Sequence, residues 1–231
     1  MNTQEYDFSL MGTGYTIDNF DPSNVQEEEV ILLGIAMDIS GSVSGFEREL
    51  NEAFRDFTEE LQKSHAAPKI MVKVVEFGQK VYEKTGYVPL SQLDPKAMHF
   101  KPRDGATCLY AAAKRIVEST VDYREQLEKT GINVKVLLFI ITDGDDNVPT
   151  TKPKEVADIL DELAKEERNI MAFDTILFGV GSDASIFTNA QKDMHFKHLA
   201  VVGQTGKEIR KMINIISQSV SKSASNQNIA F

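Results

Sequence analysis

LLGIAMDISGSVSGFEREL, residues 32–50, changes character at a single position. An apolar run stops at Asp38, and hydroxyls follow at alternate positions, Ser40, Ser42 and Ser44, before a segment with helical spacing. A continuous apolar run of strand length is what a strand buried on both faces of a parallel sheet requires. A carboxylate and a row of hydroxyls at its end are hard oxygen donors, the kind a magnesium-like cation takes. The plainer alternative is a polar strand-to-helix loop with a serine cap, since Ser44 and Glu47 have the spacing of a capping box.

Working outward, FERELNEAFRDFTEELQKS places Phe46, Leu50, Ala53, Phe54, Phe57 and Leu61 on one helical face. KIMVKVVEF, residues 69–77, reads as a strand, Gly78-Gln79 as a tight turn and KVYEKTGYVPL as a returning antiparallel strand. A helix near 108–128 follows Thr107, with Leu109, Ala112, Ala113, Ile116 and Leu127 inward. VKVLLFIIT, residues 134–142, is the second strongly apolar strand, and it too runs into an aspartate, Asp143. Pro153 suits the first turn of a helix carrying Val156, Ile159, Leu160 and Leu163. FDTILFGV and FKHLAVVG read as two more strands, and a closing helix near 207–221 turns Ile209, Met212, Ile213, Ile216 and Val220 to one side.

Strands alternating with helices predict an α/β fold: a doubly wound, mostly parallel sheet with one antiparallel edge strand and helices on both faces. The expected organisation is a polar N-terminal extension over 1–29 that docks or stays mobile, one domain over 30–222, and a serine-bearing flexible tail over 223–231. In such a sheet, ligands bind beyond the carboxyl ends of the strands where the winding reverses. If the two most apolar strands are neighbours, Asp38 and Asp143 share one crevice, and Thr107 in the glycine-bearing loop RDGATCLY supplies a third loop to its rim.

D-x-S-x-S after a first buried strand, a threonine in a glycine-bearing loop, and T-D-G after a later buried strand resemble the von Willebrand factor A domain over about residues 30–222. The resemblance implies an intact metal-ion-dependent adhesion site, in which Asp38, Ser40 and Ser42 match the first loop, Thr107 the second and Asp143 the third. It further implies Mg²⁺ or Mn²⁺ as the ion, Ca²⁺ fitting less well, and a protein partner that completes the metal's shell with an Asp or Glu. On this reading the chain binds and transforms no substrate.

The net charge of −10 argues against a nucleic-acid backbone as partner. No apolar run approaches the roughly 20 residues that cross a bilayer. A single cysteine, Cys108, excludes an internal disulfide and suits a reducing compartment. With no signal-like N-terminus and no N-glycosylation acceptor, the expected location is cytoplasmic, resembling stand-alone intracellular bacterial or phage members of the family. Those work with chaperone-like ATPases or in stress-response and defence assemblies.

Other readings fit less well. An aspartyl-phosphate phosphohydrolase needs D-x-D, and Ser40 stands at the second position. DGDDNVPTTKPKE matches a calcium loop at Asp143, Asp145 and Asn147 but has Val148 where glycine is needed and Lys154 where glutamate is needed, leaving Asp145 and Asp146 at most an accessory role. VVGQTGKE lacks the first glycine of a phosphate loop, and GSVSG centres on Val43 where a nucleophile elbow needs serine. His195 and His198 read as structural. A metal-dependent phosphohydrolase and a scaffold with a vestigial metal site remain as the alternatives.

Overall fold

The long apolar runs become the middle of the sheet, because only strands covered on both faces can be apolar at every position. The computed structural model describes residues 28–148, 150–165 and 172–225, together with the backbone at 7–8 and 15–16. A short antiparallel pairing of β1 (Asp7–Phe8) with β2 (Tyr15–Thr16) comes first. The main sheet is built from β3 (Glu29–Asp38), β4 (Ile70–Phe77), β5 (Val81–Pro89), β6 (Asn133–Thr142), β7 (Phe173–Val180) and β8 (His198–Val202). Its order is β5-β4-β3-β6-β7-β8, with every pairing parallel except β4 with β5. This is the α/β sheet expected from the sequence, with β5 as its antiparallel edge.

The helices are α1 (Glu47–Gln62), α2 (Leu109–Lys129), α3 (Pro153–Ala164), α4 (Ala184–Asp193) and α5 (Gly206–Ala224). Alternation along β3 divides the core. Ile31, Leu33, Ile35 and Met37 pack with Phe54 and Phe57 of α1 and with Met212 and Ile216 of α5. Val30, Leu32 and Ala36 pack on the other face with Ile116 of α2, Val156 of α3 and Phe187 of α4. Gly34 faces α2, and a Cβ there would lie 2.4 Å from Leu138 Cδ2 and 3.1 Å from Ile116 Cδ1. Its bare backbone lets α2 settle close to the central strand.

Two local readings differ from the structure. The Ser44–Glu47 capping box does not form: residues Gly41–Gly45 tighten into a 3₁₀ turn, and α1 starts after Phe46 with no side-chain cap. Helix α4 is also absent from the elements predicted above. Of the predicted extension and tail, residues 1–6, 9–14, 17–27 and 226–231 lie outside the described residues. Helix α5 continues to Ala224. Among the described residues no helix is long and apolar enough to cross a membrane.

Candidate metal centre

From β3 the chain first moves outward to β4 and β5, then returns to place β6 on the opposite side of β3. The winding therefore reverses between β3 and β6, and their carboxyl ends open a crevice. Asp38 is the last residue of β3, and Asp143 follows Thr142, the last residue of β6.

The first loop is anchored by its backbone. Ile39 donates its N–H to Phe77 O at 2.8 Å, and its carbonyl accepts from Arg103 N at 3.0 Å. Ser40 pairs as an isolated parallel bridge with Asp104, drawing the loop before Thr107 alongside the first loop. The 3₁₀ turn then begins with no side chain of Ser40 committed to capping it. That leaves the Ser40 hydroxyl 3.0 Å from the Ser42 hydroxyl, which in turn donates to Asp143 Oδ1 at 2.8 Å. Asp38 Oδ1 accepts from Ser40 N–H at 2.8 Å, while Thr142 Oγ1 donates to Asp38 Oδ2 at 2.7 Å.

Four of the five sequence-predicted residues, Asp38, Ser40, Ser42 and Asp143, thus form one continuous polar cluster. Thr107 enters differently. Its hydroxyl is outside this chain of hydrogen bonds, but its N–H donates to Asn147 Oδ1 at 2.8 Å and its carbonyl accepts from Asn147 N at 2.9 Å. The third loop thereby holds the second. Asp38, Ser40 and Thr107 are almost completely buried, at 1%, 3% and 4% exposure, whereas Ser42 is exposed and Asp143 partly so. The cluster is closed from below and open to solvent above.

Burial pushes the Asp38 carboxyl above its ordinary range, and the neighbouring Asp143 adds to this; hydrogen bonds from Thr142 and Ser40 oppose it. Burial likewise raises Asp143, against the hydrogen bond from Ser42. Two desolvated carboxylates with only neutral donors around them are poorly served by the protein alone, and a cation reverses that balance. Among the described residues no group of three or more His, Cys, Asp or Glu side chains is placed to hold a metal. A cation here would therefore rest on two carboxylates and neutral hydroxyls. That all-oxygen set fits a small hard ion that keeps part of its water.

Thr142 and Asn147 were not singled out from the sequence. Thr142 was visible only as the polar end of an apolar strand. Asn147 was visible only as part of an incomplete calcium-loop pattern, yet its side-chain oxygen serves the Thr107 N–H. Asp146 Oδ1 accepts from Tyr110 N at 3.2 Å, in the first turn of α2, whose own N-cap residue Cys108 provides no side-chain cap. His195 and His198 lie elsewhere: His195 Nδ1 is 2.7 Å from Asp161 Oδ1 and His198 Nε2 is 3.4 Å from Asp174 Oδ1, towards the start of β8 and the opposite end of the sheet.

No family profile and no curated protein sequence matches the chain. Solved structures do match its fold. Proximal thread matrix protein 1 from the mussel byssus aligns with TM-score 0.57 at 15% identity, covering 83% of this chain and 48% of that one. A form of that protein with a zinc-occupied MIDAS motif aligns at TM-score 0.54 and 12% identity, covering 82% and 45%. The conserved hypothetical protein BatB from Bacteroides thetaiotaomicron aligns at TM-score 0.55 and 14% identity, covering 84% and 99%. A von Willebrand factor type A structure from Catenulispora acidiphila aligns at TM-score 0.54 and 16% identity, covering 83% and 43%. The chain thus spans about half of the mussel protein structure and nearly all of BatB. Sheet order, the single antiparallel edge and these neighbours together identify a von Willebrand factor A-like α/β fold.

Proposed function

We propose that this chain is a metal-dependent protein-binding domain. Asp38, Ser40, Ser42, Thr107 and Asp143 hold a Mg²⁺ or Mn²⁺ ion, and an Asp or Glu of a protein partner completes its shell. The observation that carries this reading is the hydrogen-bonded run Ser40–Ser42–Asp143 with Asp38 behind it, at the winding reversal and open on one side. The zinc-occupied motif of a similarly folded protein supports a divalent ion. When bound, the ion would supply an electrophilic position facing solvent.

The residues divide the work by charge. Asp38 and Asp143 provide the negative charge that retains a cation. The serine and threonine hydroxyls are neutral, so they fix its position while leaving it attractive to a further carboxylate. The acidic composition argues against a nucleic-acid backbone as partner, and the single cysteine suits a cytoplasmic setting. An ATPase or a stress or defence assembly as the protein partner is what the family resemblance implies.

The test is thermal unfolding of the wild type and Ser40→Ala, each in EDTA and in millimolar MgCl₂ or MnCl₂. A ligand that binds only the native state stabilises by RT ln(1 + [L]/Kd), about 2.7 kcal/mol at a hundredfold excess over Kd. The expected outcome is a metal-dependent rise in wild type that Ser40→Ala largely loses. Identical curves with and without metal would reject the reading and leave the scaffold with a vestigial site.

A further inference from the structure

We infer that Asn147 is the positioning residue that sets Thr107 at the metal, so that the third loop controls the contribution of the second. This rests on the metal-binding reading above. Asn147 and Thr107 are far apart in the chain, yet they exchange two hydrogen bonds, 2.8 Å from Thr107 N to Asn147 Oδ1 and 2.9 Å from Asn147 N to Thr107 O. Both backbone polar groups of a residue only 4% exposed are therefore satisfied by one residue of another loop. The pattern imitates one step of a β-ladder, with a side-chain amide oxygen standing in for a carbonyl.

The neighbouring bonds make this a clip. Cys108 N donates to Gly78 O at 2.8 Å, fixing the far side of Thr107 to the end of β4. Asp146 Oδ1 takes Tyr110 N–H, and Asp145 Oδ1 takes Asp146 N–H at 2.8 Å, which stiffens the approach to Asn147. The loop 143–147 thus begins with a carboxylate that accepts from Ser42 and ends with an amide that fixes Thr107. Asn147 does not need to touch the ion. Its carbonyl oxygen is committed to the backbone N–H, and it acts through the position of the Thr107 hydroxyl.

A positioning role differs from simple loop stability in how the substitutions combine. Mn²⁺ affinity is measured by isothermal titration for wild type, Asn147→Ala, Thr107→Val and the double variant, with folding of each checked by unfolding in EDTA. Outer-shell partners of metal ligands are typically worth 10–100-fold in affinity, so Asn147→Ala should weaken Mn²⁺ binding by about tenfold. In the Thr107→Val background the same substitution should cost less than about twofold, because the hydroxyl it positions is gone. Asn147→Asp keeps the acceptor oxygen and should retain affinity. Where the alanine variant does not fold, Asn147→Ser, whose shorter side chain withdraws the acceptor, runs the same cycle. An unchanged affinity in Asn147→Ala, or an equal loss in both backgrounds, overturns the positioning role while leaving metal binding intact. A wild type that takes up no Mn²⁺ overturns the metal reading itself, and this inference with it.

Discussion

Asp38 and Glu76 are two buried carboxylates at the ends of neighbouring parallel strands, with Met37 beside Glu76 and Asp38 beside Phe77. Glu76 is answered from within the protein. Lys84 Nζ lies 2.6 Å from Oε1 and Arg103 Nη2 lies 3.2 Å from Oε2. Lys84 also caps the Phe100 ring, and Arg103 stacks 4.0 Å from the centre of Tyr82. Asp38 is buried at least as deeply, yet it receives a backbone N–H and a threonine hydroxyl, and among the described residues neither Lys nor Arg forms an ion pair with it. The difference teaches how to tell a structural charge from a receptive one. A carboxylate that the fold neutralises contributes to the fold, whereas Asp38, left beside Asp143 at the open crevice, is on the proposed reading placed to receive a charge from outside.

The largest test of this contrast is Asp38→Asn, which should abolish the whole metal-dependent gain, about 2.7 kcal/mol at a hundredfold excess of ion over Kd. Because burial holds the Asp38 carboxyl above its ordinary range, its charged form opposes folding near neutral pH. The same variant should therefore be at least as stable as wild type in EDTA. A lower melting temperature in EDTA would mean that the hydrogen bonds Asp38 accepts from Ser40 and Thr142 outweigh the cost of burying its charge.

Glu76→Gln should behave in the opposite way. It leaves Lys84 and Arg103 without their anion and should cost about 2 kcal/mol, less than the roughly 3–5 kcal/mol of a fully buried pair because Arg103 is half exposed. Its response to metal should be intact. Urea unfolding with and without MnCl₂ reads both quantities, and loss of the metal response would join the two carboxylates into one site.

Asp122 is the intermediate case and the smallest effect. It is buried in α2, and burial together with Glu125 and Glu118 pushes its carboxyl up to about 6, against Arg115 and Lys129. The folded state thus holds its proton more tightly than the unfolded chain. Its contribution to stability is complete below the unfolded value of about 3.9 and is lost as pH rises through about 6. Asp122→Asn should change little near pH 3.5 and stabilise by about 1–2 kcal/mol near pH 7.5. Equal effects at both pH values would show that Asp122 acts through shape and not through charge.

Much of this was legible in the sequence because burial on both faces leaves an apolar run with no room for misreading. The strands at 30–37 and 134–141, and the inward faces of α1, α2 and α5, follow directly from their spacing. Asp38, Ser40, Ser42 and Asp143 were legible because each directly follows such a strand or sits in the short loop beyond it. Helix α4 was not, since it buries only Phe187 and Ala190 along its length. Its anchorage depends on Gly179, where a Cβ would stand 2.2 Å from the Phe187 ring, a relation between two elements that no periodicity records. The cap signal was nonetheless present, as Asp183 Oδ1 accepts from Ser185 N at 3.0 Å. Ser44 misled because local spacing suits a capping box, while the pull of β3 and the loop at Arg103 and Asp104 tightens the chain into a 3₁₀ turn. The roles of Thr142 and Asn147 were hidden for a related reason. Each depends on a partner at least 40 residues distant.

Cys108 turns the second loop into its own reporter. It is the sole thiol of the chain, adjoins Thr107, is 2% exposed, and burial pushes its thiol up to about 11. Since only the thiolate attacks, roughly one molecule in a thousand carries the reactive form near pH 8 even before access is considered. Alkylation must wait for this loop to lift from Gly78, so the rate of labelling is a clock for the opening of the rim, readable without adding any probe to the protein.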